Sequence, residues 1–317
     1  MTIDCTNIKL QKGSTGDKVK QAQTILKSLG FYGGVIDGDY GEMTVDAVNK
    51  FQRSKGLAVD GWIGQVTCKA LNNSQTSTST TITPFKDIAG KKFMKADIIK
   101  MAKTFRTHIK NNKNYPNYLT IMDNNGKYYN MGKSAYMGLF EDVSIFFIKN
   151  GRMPNYAVFD STANNPLVID YQNNGSNCGP SSLSMCMQML AEWIPEPTLA
   201  KEMGTSTSSG TSPSQLKYGA KTHGFELVEI GRDISSVRKA LAEGSPVLMH
   251  IHTSYSGGRS CLGYYGSYGH YIMCYGTSGD YYKIADPTKG FKTCYCTGID
   301  NARSSTNMKY YRLNPVG

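Results

Sequence analysis

Cys178 opens the run Asn177-Cys178-Gly179-Pro180-Ser181-Ser182-Leu183-Ser184-Met185, with Gln172 six residues before it and His270 and Asp286 far downstream around two short apolar runs. These residue types can hydrolyse an amide through a thiol nucleophile. A thiolate is favoured at the start of a helix, where unpaired N–H groups and the dipole lower the thiol pKa. A His beside it acts as base and then acid, a carboxylate orients that His, and a donor faces the developing oxyanion. Cys178, His270, Asp286 and Gln172 offer these roles. The bland alternative is a buried Cys in a Gly-Pro turn; the Gln spacing and the downstream His and Asp argue for catalysis.

Two other histidines compete as base. His250 and His252 alternate with Met249 and Ile251, so they share a strand face, and a pair spaced by two is also a metal motif. No carboxylate stands near them in sequence, whereas His270 opens an apolar run and Asp286 follows the next one, so His270 is preferred. Cys294-Tyr295-Cys296 has one intervening residue rather than the two to four of zinc knuckles, and no metal or cofactor is expected.

The elements that must carry these residues are a helix over 178–192, apolar on one side through Leu183, Met187 and Leu190, and helices over 216–223 and 234–241. Residues 247–252 show little polar alternation and are expected as a central strand, followed by strands over 270–275 and 281–285. Residues 254–269, crowded with Gly, Ser and Tyr, form a long loop before the base that is expected to shape a substrate cleft.

Gln172 through Met185, His270-Tyr271-Ile272-Met273-Cys274-Tyr275-Gly276 and Ala285-Asp286-Pro287 resemble the papain-clan peptidases related to bacteriocin-processing leader peptidases, over about the last half of the chain. The resemblance implies an α+β peptidase with an antiparallel sheet. It makes Cys178 the nucleophile, His270 the base and Asp286 its orienter, with the Gln172 side chain and the Cys178 N–H as the oxyanion hole. The leader-processing branch sits on a membrane exporter, which this chain does not carry.

Near the N-terminus, Asp37-Gly38-Asp39-Tyr40-Gly41-Glu42-Met43-Thr44 recurs 23 residues later as Asp60-Gly61-Trp62-Ile63-Gly64-Gln65-Val66-Thr67. Both copies signal a turn entering a helix, with glycines for positive φ and Thr as a cap. Val19, Ala22, Leu26 and Leu29, then Val45, Val48 and Phe51, mark helical faces, so three short helices around a small core are expected. Residues 7–72 resemble the bacterial-type peptidoglycan-binding domain. Asp37 and Asp39 are read as turn chemistry rather than calcium ligands, because EF-hand spacing is missing. Residues 74–83 are a polar Ser/Thr-rich tether with nothing to bury.

Residues 85–160 contain 13 Lys and Arg against 6 Asp and Glu, supplying +7 of the chain's net +11. Ile98, Met101, Ala102, Phe105 and Ile109 form one helical stripe, and Tyr136, Leu139, Phe140, Val143 and Phe147 a second. Each helix runs into an Asn-rich stop, Pro-Asn-Tyr and a short extended phrase at 119–121 or 157–159, with the Pro taken as the cause of the stop. This doubled phrase resembles the pseudomurein-binding repeat of lytic enzymes aimed at methanogenic archaea. Tyr115, Asn117, Tyr118, Asn155 and Tyr156, with the lysines, are the candidate wall contacts, since an exposed ring can stack on sugar while Asn and Lys bond hydroxyls and carboxylates.

At 317 residues the chain is long enough for two or three domains, and its charge favours an acidic partner. No run approaches the ~20 apolar residues of a membrane span, and the N-terminus lacks a charged-then-apolar leader. The eight cysteines are scattered without a framework and are expected mostly as free thiols. The expected architecture is multidomain α+β: residues 1–73 a small three-helix peptidoglycan-binding-like domain, 74–84 a linker, 85–160 a helical pseudomurein-binding repeat domain, 161–317 the peptidase. The expected protein is a monomeric lysin of a methanogen virus or prophage, made in the host cytoplasm without a signal peptide and acting on pseudomurein after release, with no nucleic-acid partner and no membrane insertion. The pseudomurein endoisopeptidases that it resembles cut an Ala–Lys isopeptide bond. Several place His close behind Cys, whereas 92 residues separate them here. A bacterial peptidoglycan endopeptidase and a non-catalytic wall-binding protein are the alternatives.

Overall fold

In a computed structural model, residues 2–29, 31–76, 82–253, 261–266, 268–300 and 308–316 are described. The chain divides into two compact units, residues 1–81 and 82–317.

The first unit contains α1 (Asp17–Ser28), α2 (Glu42–Ser54) and α3 (Gln65–Thr76). Val19, Ala22, Leu26, Val48 and Phe51 fill its core as their spacing requires. Gly38 and Gly61 take φ of +86° and +71°, so the two Asp-Gly turns do use the freedom that only glycine has there. The threonines do not cap. Gly41 precedes α2 as its cap residue, and Thr44 lies buried inside the first turn.

What organises both turns is a buried glutamine that the spacing alone does not reveal. Gln23 Nε2 donates to Asp37 Oδ1 (2.8 Å), Asp39 O (2.9 Å) and Thr44 Oγ1 (3.2 Å), while its Oε1 accepts from the Gly38 amide (2.9 Å). Gln52 repeats the set with Asp60 Oδ1 (2.7 Å), Trp62 O (2.9 Å), Thr67 Oγ1 (3.2 Å) and the Gly61 amide (3.0 Å). Asp37 and Asp60 are held below the usual carboxylate range by these bonds, the backbone amides of Asp39 and Trp62 first. This bears out turn chemistry for Asp37. Gln52→Ala strands a buried amide and several acceptors, so unfolding of a residue 1–81 fragment should lose about 2 kcal/mol. A loss of only a few tenths in chemical denaturation would show the glutamine to be incidental.

Four of the eight cysteines depart from the free-thiol expectation: Cys5 pairs with Cys68 and Cys261 with Cys294, at Cα separations of 5.7 and 5.6 Å, leaving Cys178, Cys186, Cys274 and Cys296 free and buried. The pairs are 63 and 33 residues apart in the chain, so only the folded backbone brings them together. α3 runs through Thr76 into the segment expected as tether, and residues 77–81 lie outside the described residues.

The second unit opens with α4 (Phe85–Ile88), β1 (Lys92–Met94), α5 (Lys95–Asn112), β2 (Tyr118–Met122), β3 (Tyr128–Gly132), α6 (Lys133–Asn150) and β4 (Tyr156–Val158). β1 pairs antiparallel with β4, and β2 with β3. Both long helices bury the expected stripes. Their stops are not made by proline: each ends on a left-handed residue, Lys113 (φ 53°) and Gly151 (φ 65°), three residues before Pro116 and Pro154.

α7 (Cys178–Met189), α8 (Glu196–Met203), α9 (Pro213–Thr222) and α10 (Ile234–Ala242) accompany a six-stranded antiparallel sheet in the order β5-β10-β6-β7-β8-β9. Its strands are β5 (Phe225–Ile230), β6 (Val247–His252), β7 (Gly269–Ser278), β8 (Tyr281–Asp286), β9 (Gly290–Tyr295) and β10 (Tyr310–Pro315). β6 is interior, as its scant polar alternation implies. Leu248, Met273, Ala285 and Leu313 join the core around α7, whereas Val247, Met249, Ile272 and Ile284 join a second core with Val237 and Ala240 of α10. The chain is thus multidomain α+β with an antiparallel sheet.

Every residue of α7 is buried, not just one side. No charged residue occurs between Cys178 and Ala191, and small residues let neighbours close in: a Cβ on Gly179 would meet Thr211 at 2.9 Å. α5 and α6 belong to the same core as this helix. Phe140 packs against Trp193 at 5.8 Å between centroids, and the Trp193 indole donates to Ser144 Oγ (2.9 Å). Arg106 of α5 pairs with Glu192 (2.9 Å) and donates to the carbonyls of Leu190 and Ala191 at the end of α7. Segments 85–160 and 161–317, read from sequence as two modules, therefore share one hydrophobic core.

Candidate active site

The antiparallel pairing of β7 with β8 brings two distant residues together. His270 lies two residues before Ile272 and Asp286 two after Ile284, so strand alternation puts both on the face of these isoleucines, at neighbouring strand ends. His270 is 3% exposed and Asp286 fully buried. His270 Nε2 stands 3.3 Å from Asp286 Oδ1. The turn after β8 also donates the amides of Thr288 (2.8 Å) and Lys289 (3.0 Å) to that oxygen. Tyr264 Oη lies against both carboxylate oxygens (2.7 and 2.9 Å) and against His270 Nε2 (2.9 Å).

Cys178 begins α7, which packs on β6, β7 and β8. Its thiol lies close enough to His270 for each group to shift the titration of the other. With Nε2 taken up by Asp286 and Tyr264, Nδ1 is the ring nitrogen left to serve the sulfur.

The charges follow from these contacts. Burial alone pushes the Cys178 thiol up, but the hydrogen bond and charge of His270 and the Tyr271 and Gly179 backbone bring it net below its ordinary value. Burial pushes His270 down, and the bonds to Asp286 and Cys178 more than reverse this, to about 9. Burial raises Asp286, and the His270 bond and charge with the Tyr264 hydroxyl leave it net lowered. The shifts of Cys178 and His270 both move the pair toward a thiolate beside an imidazolium. By contrast burial pushes Cys274 up to about 12 and Cys186 well above its ordinary value, so these thiols stay protonated.

Gln172 sits beside the same turn. Its amide nitrogen donates to Asn174 O (2.6 Å), its Oε1 accepts from Thr288 Oγ1 (3.0 Å), and its backbone N–H donates to Pro287 O (3.0 Å). A primary amide has two hydrogens, so the Asn174 bond leaves one for an oxyanion. The segment between Gln172 and Cys178 is clamped from below: Asn173 and Asn177 both donate their side-chain amides to Glu196, which is 1% exposed. Glu196 and Tyr264 escape sequence reasoning. Nothing in the run 254–269 separates Tyr264 from Tyr255, Tyr265 and Tyr268, and Glu196 resembles any first-turn helix glutamate. Of the loop expected before the base, residues 254–260 and 267 lie outside the described residues.

His250, the competing base, stacks on Tyr271 at 4.2 Å between centroids. Among the described residues no group of three His, Cys, Asp or Glu could hold a metal ion, and no helix is long and apolar enough to cross a membrane. In the repeat segment, Asn117, Asn155 and Tyr156 are exposed and Tyr118 is half-buried. Lys92 Nζ sits 3.7 Å over the Tyr156 ring. Tyr115 stacks on Phe105 at 5.9 Å under the Lys133 ammonium, and burial pushes its hydroxyl up to about 12.

This arrangement can run acyl transfer. In such a reaction Cys178 Sγ would bond to a carbonyl carbon, the oxyanion would face the first-turn amides that a helix leaves without internal partners, and the imidazolium of His270 would give its proton to the departing amine as the C–N bond breaks. Water, deprotonated by His270, would then release the acyl group and restore the thiol.

Two segments of the chain match known families. Residues 166–315 match the Peptidase C39 like family, and residues 15–71 match the family described as putative peptidoglycan binding domain. The chain is 46% identical over 52 residues to the spore cortex-lytic enzyme of Bacillus subtilis, a match covering 16% of this chain and spanning only 17% of that curated relative's length. A solved C39-like peptidase of Bacillus anthracis is similar at 15% identity, over 49% of this chain and 96% of that one, with a TM-score of 0.37. The peptidase domain of Streptococcus ComA, a bi-functional ABC transporter, is similar at 20% identity over 46% and 96% with a TM-score of 0.36. The chain joins a peptidoglycan-binding-type domain to a C39-like cysteine peptidase domain.

Proposed function

We propose that this protein is a cell-wall hydrolase in which residues 1–81 hold a wall polymer while Cys178 cuts an amide bond in its peptides. The observation that carries the proposal is the Cys178–His270–Asp286 arrangement in the same chain as a peptidoglycan-binding-type domain. Holding an insoluble polymer keeps the peptidase near its bonds at a high effective concentration.

Pseudomurein is the proposed polymer, cut at Ala–Lys isopeptide cross-links by a monomeric lysin of a methanogen virus or prophage that reaches the wall on release from the host cytoplasm. Support comes from the doubled helix and Pro-Asn-Tyr phrase, and from Asn117, Asn155 and Tyr156 standing exposed in a segment of net +7 facing a polymer that contains uronic acids. Bacterial peptidoglycan is the second reading, favoured by the match over residues 15–71. Purified walls of both kinds, incubated with the whole chain, decide between them: mass spectrometry of released fragments should show new amine and carboxyl ends in pseudomurein peptides. Release from peptidoglycan alone would transfer the proposal to the second substrate, and release from neither would end it. In the same assay the 1–81 fragment should sediment with the wall that is cut.

A further inference from the structure

Resting on the assignment of Cys178 as nucleophile, we propose that Tyr264 is a positioning residue: its hydroxyl bridges Asp286 to His270, and the carboxylate orients the imidazole through it. The direct contact from His270 Nε2 to Asp286 Oδ1 is 3.3 Å, long for a charge-assisted hydrogen bond. The path through Tyr264 Oη is short on both sides, 2.9 Å to Nε2 and 2.7 and 2.9 Å to the two carboxylate oxygens.

Proton counting fixes the direction of each bond. An ionised carboxylate only accepts, and a phenol has one hydrogen to give and lone pairs to receive with. The Tyr264 proton therefore goes to Asp286, and Oη accepts from Nε2–H. That holds the neutral imidazole in the tautomer whose Nδ1 is unprotonated and left for the thiol, which is the form the base needs. It also gives the imidazolium a second acceptor without bringing a second full charge beside it. The phenol keeps its proton because burial, then the Asp286 charge, push its pKa far above the ordinary value.

The residue is seated for this task. Its ring is 5% exposed and stands edge-on to His270 (4.9 Å) and Tyr268 (5.9 Å), with the Lys289 ammonium 5.3 Å from its centroid. Three residues before it, Cys261 is tied to Cys294 of β9. Two residues after it, the Gly266 carbonyl accepts from the buried Thr253 hydroxyl (2.8 Å), and the Tyr268 carbonyl accepts from the Thr253 amide (3.0 Å). The segment is thus pinned on both sides of the tyrosine, to a strand edge and to the end of β6.

The test uses the full chain and two readouts. Alkylation of Cys178 by iodoacetamide, followed by intact mass against pH, reports thiolate formation, and kcat/KM against pH on released wall peptide reports loss of the imidazolium. Tyr264→Phe should move the acid limb of alkylation up and the alkaline limb of kcat/KM down, each by about one pH unit, because the imidazolium loses a hydrogen bond. It should lower kcat about tenfold while KM stays within about twofold. Tyr264→3-fluorotyrosine, which preserves the packing and makes Oη a poorer acceptor, should move both limbs the same way by less. Unmoved limbs in both variants overturn the proposal, whatever happens to the rate. A wild-type Cys178 that alkylates no faster than an ordinary thiol overturns the nucleophile assignment and this proposal with it.

Discussion

Replacing Cys178 by Ala should lower hydrolysis at least about 10⁴-fold, to the rate that binding and oxyanion stabilisation alone support. The loss is this large because no other thiol can substitute. Cys186, Cys274 and Cys296 are buried and hold their protons, and the other four cysteines are in disulfides. Wall binding should survive, since residues 1–81 form a compact unit with its own core. The measurement pairs turbidity loss of purified walls with co-sedimentation of the same variant. Clearing at the wild-type rate would remove Cys178 from the chemistry, and loss of sedimentation would mean that the targeting unit is not independent.

Asp286→Asn should cost about 10²- to 10³-fold in kcat/KM and pull the alkaline limb of the profile down from about 9, because the neutral amide no longer steadies the imidazolium. Its effect on stability has a definite sign. Asp286 has a folded-state pKa below its unfolded value, so its contribution is present above the unfolded pKa near 3.9 and is lost as pH falls through the lower folded value. His270 works from the other side: its folded pKa of about 9 stabilises the fold fully below about 6.5 and is lost as pH rises through 9. Urea midpoints of the wild type should therefore fall toward both extremes, and the Asn variant should have a weaker acid dependence. An unchanged alkaline limb in the variant would mean that the carboxylate does not govern His270.

The positions of Cys178, His270 and Asp286 could be read in advance because each lies at an element boundary that sequence marks: a Gly-Pro helix start and the ends of two apolar strands. The same logic found the core stripes of α5 and α6 and the two Asp-Gly turns, since amphipathic spacing and positive φ are local properties. What escaped depends on contacts between segments far apart in the chain. Gln23 and Gln52 look like surface residues of polar helices until the turns fold onto them. Glu196 becomes a clamp only when Asn173 and Asn177 approach it, and one tyrosine among four in a Gly-rich run is chosen by the sheet end it reaches. The proline-based helix stops were misassigned for the opposite reason: Pro116 and Pro154 are conspicuous, but the left-handed residues three positions earlier end the helices first. The helix behind Cys178 was expected to have a wet side, and an absence of charged residues over its length was the neglected sign that it is enclosed.

The common core of segments 85–160 and 161–317 bears on how such enzymes can be recombined. A graft that lifts residues 85–160 onto another catalytic module cuts through the contacts of Arg106 with the end of α7 and of Trp193 with Ser144, so both halves arrive with raw apolar faces. The two compact units meet in sequence at Thr81 and Ile82. Chimeras joined there leave the core of each unit whole, while the basic repeat must travel with the peptidase as one inheritance unit. If that repeat does read the wall, its selectivity cannot be shuffled separately from the cutting machinery, and the two must change together by point substitution.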